Sequence, residues 1–287
     1  MDARSQGLIS IHVAVFLFGG AGLFGKFLHL APAMITLGRT LFAGIALVIV
    51  SLLLKTDLRV RNGRHFFGFV CMGGILAVHW SSFFYAVQVS TVAIALLSYS
   101  SFPVFVTFME PIVFNERLRI VDILIALVVF LGLVLIVPEF SLANDVTLGV
   151  VWGTFSGFTF AALSLLNRKF VASYSALTVA LYQDAFASLL LLPFVGKAML
   201  RLPSLEWSGL ILLGVVFTAL AHWLFIRGMR GIKAQLAGVI ACLEPVYGIL
   251  IALAVLQEIP SRREVLGGVV IIVAIVYATQ KADTALQ

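Results

Sequence analysis

The chain has 287 residues, of which 62% are hydrophobic and 11% are charged, and its formal net charge is +6. A soluble domain is ordinarily about half apolar and about a quarter charged. So much apolar surface cannot be shielded from water by so few charges. This excludes a soluble globular domain, a disordered chain and a disulfide-linked secreted scaffold. The composition predicts an integral membrane protein.

The apolar runs predict helices rather than a β-barrel. A helix needs roughly 20 apolar residues to cross a hydrocarbon layer of about 30 Å, whereas barrel strands are alternating segments of roughly 10 residues. The runs here are continuous and of the longer kind. They predict an all-α polytopic membrane protein with ten transmembrane helices, at Leu8–Gly25, Pro32–Leu54, Phe66–Ala86, Val92–Met109, Ile120–Val137, Leu148–Leu166, Ala176–Val195, Trp207–Phe225, Leu236–Leu256 and Val265–Thr279.

The lysines and arginines predict the orientation of these helices, because short loops that carry them stay in the cytoplasm. With the N-terminus in the cytoplasm, the basic cluster Lys55–Arg64 and the pair Arg168-Lys169 both lie inside. The C-terminus then lies inside as well, and the basic excess faces the anionic lipids of the cytoplasmic leaflet. This accounts for the net charge without a nucleic-acid partner.

Two parts of the sequence repeat each other at a separation of 142 residues. Pro103 is followed 13 residues later by Glu116, and Pro245 is followed 13 residues later by Glu258. The pair His79-Trp80 also recurs, one residue further on, as a second His-Trp pair. Self-similarity at a fixed separation indicates a structural repeat. It divides the chain into two halves of five helices each, at residues 7–137 and 147–280.

An odd number of helices in each half determines how the halves are related. The second half enters the membrane from the opposite side, so the two repeats are inverted. Inverted repeats are typical of transporters that work by alternating access, with a substrate site between the halves near the middle of the membrane. We therefore expect a central cavity between the two halves. One chain contains both halves, so a monomer is sufficient for function.

The repeat also carries a family resemblance. Ser98–Glu116 with Gly132, and Ile240–Glu258 with Gly267, each have small residues, a proline, an acidic end and a following glycine-containing helix. In this the chain resembles the drug/metabolite transporter superfamily, specifically its ten-helix exporters built from two EamA-type repeats. The resemblance implies export of amino acids or other small metabolites across the cell inner membrane. Within the family, the overall pattern is most similar to bacterial exporters of aromatic amino acids.

Three charged residues lie deep within predicted helices, where ionisable groups are costly and are often functional. Arg39 matches a basic residue that the family often carries early in the second helix, and Asp184 lies near the equivalent place in the second half. An ion pair between them, structural or functional, is one interpretation. Glu244 lies near the middle of its helix, where it could relay protons, hold a substrate ammonium group or bond a neighbouring helix.

Prolines and aromatic residues complete the predicted site. Pro103 and Pro245 each remove a backbone donor from a helix interior, which predicts helix breaks or hinges at equivalent places. A wall of aromatic residues with few charges would suit zwitterions with apolar side chains; the alternative for each residue is core packing or contact with lipid. The predicted cavity residues are His79, Phe83, Tyr99, Trp152, Phe155, Tyr182 and Glu244.

Other functions fit the sequence less well. Carriers of sugar phosphates or nucleotide sugars need several deep cations, and only Arg39 is deep; cationic drugs are a further alternative substrate. An intramembrane enzyme is disfavoured because the metalloprotease and acyl-transfer motifs are absent from the sequence. Cys71 and Cys242 fall at different depths, which predicts neither a disulfide nor a metal site. We expect no catalytic residue, metal or cofactor.

Overall fold

The computed structural model describes residues 3–114, 120–137, 141–228, 240–241 and 243–284, and every regular element among them is helical. The protein is therefore an all-α membrane protein, as the sequence predicts. Its helices are α1 (Ala3–Ala21), α2 (Phe24–Phe27), α3 (Pro32–Leu53), α4 (Gly63–Val89), α5 (Val92–Tyr99), α6 (Phe102–Phe114), α7 (Ile120–Ile136), α8 (Asp145–Val171), α9 (Ala176–Met199), α10 (Ser204–Gly214), a π-helical turn (Val215–Leu220), α11 (Ala221–Gly228), α12 (Glu244–Leu256) and α13 (Arg262–Thr284).

Seven segments of the described chain are long and apolar enough to cross a membrane. Two shorter apolar helices, Ile123–Ile136 and Glu244–Leu256, and the helix α13 bring the described segments to the ten that the sequence predicts. The seven are Ser5–Phe27, Pro32–Leu53, Gly63–Val89, Val92–Phe114, Asp145–Val171, Ala176–Met199 and Ser204–Phe225.

Side-chain caps set the start of several helices. Asn62 begins α4 by accepting a hydrogen bond from the backbone of His65 at 2.8 Å. Thr91 begins α5 in the same way, so the uncharged break between the third and fourth spans is a capped turn. Asn144 and Ser175 begin α8 and α9. Each cap satisfies a backbone donor that would otherwise lack a partner at the helix end.

The structure differs from the predicted helices at the prolines. The span predicted as Val92–Met109 is two helices, α5 and α6, which are separated at Ser100-Ser101. Pro103 is the second residue of α6, and Pro245 is the second residue of α12. Proline is tolerated there because the first turn of a helix has no internal partner for its missing N–H. The predicted loops at 115–119 and 231–235, and the predicted helix start at 236–239, lie outside the described residues.

The helices of the two halves pack in corresponding ways. α1 packs on α11 and α12. Its counterpart in the second half is α8, which packs on α4, α5 and α6. α3 packs on α10, and its counterpart α9 packs on α4. Two pairs of counterparts contact each other directly, namely α3 with α9 and α7 with α13. Exchanging the two five-helix halves therefore maps the contacts of α1 with α11 and α12 onto those of α8 with α4 and α6, and the protein consists of two inverted repeats.

Close packing between the halves depends on glycine at one contact of α4 with α9. A Cβ atom at Gly73 would lie 2.5 Å from the Cβ of Phe186 and 2.8 Å from the backbone nitrogen of Ala187. Backbone atoms cannot move aside as a flexible side chain can. At the adjacent Gly74 the nearest atom, a methyl group of Leu190, would lie 3.5 Å away, which is ordinary contact. Small residues let helices approach closely within a membrane.

We expect Gly73→Ala to lower the free energy of unfolding by about 1–3 kcal/mol, because the added methyl group overpacks the α4–α9 contact. The matched control is Gly74→Ala, which adds the same methyl group one residue away and should be neutral or slightly stabilising. The measurement is thermal unfolding of the detergent-solubilised proteins. Equal melting temperatures for the two variants would contradict the described packing.

Candidate substrate cavity

A cavity of about 530 Å³ lies between the two halves, in the range of small-molecule sites. Its wall is mostly apolar. Aromatic side chains form much of that wall, namely Phe18, Trp80, Phe83, Tyr99, Phe102, Phe160 and Phe225. A few groups that carry charge or titrate also line it, namely Arg39, His79, Asp184, His222 and Glu244. An apolar cavity with a small number of converging polar groups is the usual form of a binding site.

Most of the residues chosen from the sequence line this cavity. They come from α3, α4, α5, α6, α9 and α12, so the fold brings together residues that are up to 206 positions apart along the chain. The sequence-predicted residues that line it are Arg39, His79, Phe83, Tyr99, Pro103, Asp184, Glu244 and Pro245.

Three predicted residues do not line the cavity. Trp152 and Phe155 are 36% and 40% exposed, and the rings of Trp152 and Tyr85 contact each other at 5.1 Å. They point outward because α8 turns its glycine face towards α5: a Cβ atom at Gly153 would lie 2.7 Å from the Cβ of Ser98. Periodicity alone does not reveal this rotation of α8.

Tyr182 is the third residue that the structure places elsewhere. Its hydroxyl group donates a hydrogen bond to the carbonyl oxygen of Leu58 at 2.8 Å, and its ring stacks on Phe69 at 4.7 Å. These contacts fix α9 to the chain between α3 and α4 and to α4 itself. Tyr182 therefore anchors α9, and its neighbours Gln183 and Asp184 line the cavity.

Arg39 is held in a fixed orientation. Its Nε atom donates a hydrogen bond to Thr218 Oγ1 at 2.8 Å, and its guanidinium carbon lies 3.8 Å from the ring centre of Trp80. A cation over an indole face is a favourable contact. Thr218 lies in the π-helical turn, and its hydroxyl donates to the carbonyl oxygen of Leu213 at 2.9 Å. The π turn thus supplies the acceptor for Arg39, and no sequence pattern indicated it.

Arg39 lines the cavity and has further donors besides its Nε atom. Only its Nε atom forms a hydrogen bond with another described residue. A guanidinium group has five N–H donors arranged as a planar fork that matches a carboxylate. Arg39 can therefore bind an anionic group with two parallel hydrogen bonds while its face rests on Trp80.

Asp184 is buried without a hydrogen-bond partner among the described residues. It is 1% exposed, and neither of its carboxylate oxygens has a hydrogen-bond partner among the described residues. The hydrogen-bonded pair with Arg39, which is one interpretation of the sequence, is therefore not formed in this conformation. The Nδ1 atom of His222 is also buried and lacks a partner within the described part of the chain. Both groups line the cavity.

His79 lines the cavity and also bonds to a neighbouring helix. Its Nδ1 atom lies 2.8 Å from Ser156 Oγ on α8, and the Ser156 hydroxyl is also 3.0 Å from the His79 carbonyl oxygen. Its ring lines the cavity and contacts Tyr99 and Phe160 at 5.5 and 5.1 Å. The bond to α8 fixes the imidazole, and the ring is part of the aromatic wall.

Glu244 is the first residue of α12, and Phe102 is the first residue of α6. The two helix starts are equivalent in the repeat, so the acidic group is present in one half only. The Glu244 carboxylate lines the cavity and forms no hydrogen bond or ion pair with the described residues. The site is symmetric in its backbone and asymmetric in its charge.

Polar contacts join the helices at one end of the bundle, here termed the Lys26 end. The Lys26 ammonium donates a hydrogen bond to the carbonyl oxygen of Ser90 at 2.6 Å and lies 4.0 Å from the Glu258 carboxylate. Glu258 in turn accepts from the backbone of Val92 at 2.9 Å. None of these four residues lines the cavity. The cavity extends instead towards the end at which α8 joins α9, where its lining includes Asn167, Val171 and Ala176.

Comparison with known proteins identifies one family for both halves of the chain. The model of the EamA-like transporter family matches residues 5–137 and again residues 147–280. A solved crystal structure is similar over 98% of both chains with a TM-score of 0.66 at 20% sequence identity, which shows a shared fold.

Curated relatives are transporters by name. An uncharacterized transporter, YxxF, of Bacillus subtilis is 23% identical over 93% of this chain and 88% of its own length. The uncharacterized inner membrane transporter YicL of Salmonella typhimurium is 23% identical over 96% of both chains. An S-adenosylmethionine uptake transporter of Rickettsia conorii is 24% identical over 74% of this chain and 72% of its own length.

We expect Thr218→Val to destabilise the protein, because it leaves the Nε–H of Arg39 and the carbonyl oxygen of Leu213 without their partner. Loss of a buried hydrogen bond of this kind costs about 1–3 kcal/mol. Thr218→Ser keeps the hydroxyl group and serves as the control. Thermal unfolding of the purified proteins measures the difference. A Thr218→Val variant as stable as Thr218→Ser would show that Arg39 is not held in this way.

Proposed function

The chain belongs to the EamA-like transporter family, and we propose that it exports amino acids and related small zwitterionic metabolites through the cavity between its halves. The observation that carries the proposal is the content of that cavity. One guanidinium group and two carboxylates lie within an aromatic wall. Such a lining would accept an apolar or aromatic side chain and both charged groups of an amino acid. Aromatic and large apolar amino acids are therefore the preferred substrates.

Transport by alternating access follows from the repeat. Because the halves are inverted copies, exchanging their conformations exposes the cavity to the other side of the membrane. The breaks that precede Pro103 and Pro245 occupy equivalent positions next to the cavity and serve as hinges. The contacts of Lys26 with Ser90 and Glu258 close the pathway at one end. One chain supplies the whole pathway, so the monomer is the functional unit.

We place the protein in the cell inner membrane with both termini in the cytoplasm. The basic residues support this orientation, because the cluster at residues 55–64 and the pair Arg168-Lys169 then lie inside. The Lys26 end then faces outwards, and the cavity extends towards the cytoplasm. This conformation is the one that would receive a substrate for export.

A second candidate function is transport of a cationic metabolite related to amino acids, such as S-adenosylmethionine. The cavity is lined by two carboxylates, of Asp184 and Glu244, and by one guanidinium group, that of Arg39. One carboxylate is therefore in excess. S-adenosylmethionine has an amino-acid group and an additional sulfonium charge, and the name of the Rickettsia conorii relative refers to this molecule. The surplus carboxylate would match the additional charge.

The proposed function predicts exchange of L-phenylalanine by the purified protein in liposomes. Liposomes loaded with unlabelled L-phenylalanine should accumulate the labelled molecule from outside, and protein-free liposomes should not. Competition by other amino acids and by S-adenosylmethionine distinguishes the two candidate functions. Exchange inhibited by S-adenosylmethionine alone would favour the second candidate. Absence of exchange with every amino acid and with S-adenosylmethionine would contradict both.

Closing the Lys26 end should stop transport. The test uses a variant without Cys71 and Cys242 that carries Lys26→Cys and Glu258→Cys. We expect a reducible bifunctional thiol cross-linker to abolish exchange by this variant. A reductant should then restore the exchange. The two single-cysteine variants, treated with the same reagent, are the controls. Undiminished exchange by fully cross-linked protein would contradict a pathway that opens at this end.

The orientation predicts which cysteines an impermeant maleimide reaches from outside intact cells. In a background without native cysteines, Lys197→Cys should be labelled, whereas Arg59→Cys and Lys169→Cys should be labelled only after the cells are opened. Labelling of Arg59→Cys and Lys169→Cys from opposite sides would contradict the inversion of the two halves.

A further inference from the structure

We infer that Asp184 and Arg39 form the two ends of a zwitterion-binding site, in which the Asp184 carboxylate binds the ammonium group of the substrate and the Arg39 guanidinium binds its carboxylate. The inference rests on the proposed function and adds the atoms that recognise the substrate. It assigns selectivity for the charged part of the molecule to these two residues. The aromatic wall then selects the side chain.

The first support is that the Asp184 carboxylate has no hydrogen-bond partner in the described part of the chain, although neighbouring polar groups do. On the same helix, Gln183 donates to the side-chain oxygen of Asn167 at 2.5 Å, and the Ser188 hydroxyl donates to Thr40 at 2.7 Å. Both oxygens of Asp184 remain without a partner among the described residues. A buried polar group without a hydrogen bond is costly and is rare in native proteins. A bound ligand that brings donors explains why this one is retained.

The second support is that Arg39 is already positioned to bind an anion. The contacts with Thr218 and Trp80 fix the plane of the guanidinium group without using its remaining N–H donors. A group held in advance loses little freedom when the ligand binds. A carboxylate is an anion that the planar fork binds with two parallel hydrogen bonds.

The third support is that Asp184 and Arg39 lie on facing helices around one cavity. α3 packs on α9, and both residues line the cavity. The Cβ atom of Asp184 lies beside Gly44, at 3.9 Å from the position that a Cβ would occupy there, and Gly44 is five residues after Arg39 on α3. One small zwitterion in the cavity can therefore lie between the two residues.

Glu244 is the alternative residue for binding the ammonium group. Its carboxylate also lines the cavity and also lacks a partner among the described residues, but it begins α12 and is less deeply buried than Asp184. Asp184 is preferred because both of its oxygens are withdrawn from solvent. Asp184→Asn and Glu244→Gln therefore form a matched pair for the test.

The test measures binding of three molecules that share one aromatic body. L-phenylalanine has both charged groups, phenethylamine has only the ammonium group, and 3-phenylpropionate has only the carboxylate. We expect Asp184→Asn to raise the Kd of L-phenylalanine and phenethylamine at least tenfold and to leave that of 3-phenylpropionate unchanged. Arg39→Gln should weaken L-phenylalanine and 3-phenylpropionate and spare phenethylamine. The measurement is calorimetric titration of the purified full-length proteins.

Two results would overturn the inference while leaving the proposed function intact. One is equal weakening of all three molecules by Asp184→Asn, and the other is an ammonium-specific loss with Glu244→Gln but not with Asp184→Asn. Wild-type protein that binds none of the three molecules but exchanges other amino acids would also overturn it. Wild-type protein that neither binds these molecules nor exchanges any amino acid would contradict the proposed function itself.

Stability of the ligand-free variants separates recognition from a structural role. Because the Asp184 carboxylate is buried without a hydrogen-bond partner among the described residues, Asp184→Asn should melt at the same temperature as the wild type or higher. A structurally paired aspartate would instead give a clearly lower melting temperature, which would contradict the inference. Asp184→Ser provides a second variant for the binding series in case the asparagine variant does not fold.

Discussion

The structure depends on how a charged group is kept within the apolar interior of a membrane. An arginine at this depth is costly unless it is paired, stacked or in contact with water. Arg39 donates one hydrogen bond to Thr218, stacks on Trp80 and lines a cavity. The cavity therefore stabilises the arginine, and the arginine in turn makes the cavity selective. Asp184 and Glu244 lie around the same space, so the charges share one polar region between apolar helices.

The two halves supply a symmetric framework with asymmetric chemistry. Their described helix contacts correspond when the halves are exchanged, and in both halves a proline is the second residue of a helix, at Pro103 and at Pro245. The residues at these equivalent places differ: Phe102 begins α6 where Glu244 begins α12. A symmetric framework permits two mirrored conformations, whereas a symmetric set of charges is not required for binding one substrate. The inverted repeat thus accounts for movement, and single residues account for recognition.

The sequence predicts most of the fold because its signals are local. Apolar length defines the helices, proline marks the breaks at Pro103 and Pro245, and depth within a helix identifies Arg39 and Asp184. The rotation of each helix about its own axis is not local. Trp152 and Phe155 point outward because Gly153 packs against α5, and periodicity does not distinguish that rotation from its alternatives. The π turn that places Thr218 beside Arg39 likewise depends on tertiary contacts.

The central claim is that the cavity between the halves is the route of the substrate. Ala180 lies on the cavity wall one helical turn before Asp184, so a cysteine at this position reports on the site. In a variant with Ala180→Cys and without Cys71 and Cys242, an impermeant thiol reagent should label the protein from the cytoplasmic side. L-phenylalanine should slow this labelling at concentrations that support exchange. Labelling at an unchanged rate in saturating L-phenylalanine, by protein that exchanges it, would contradict the account.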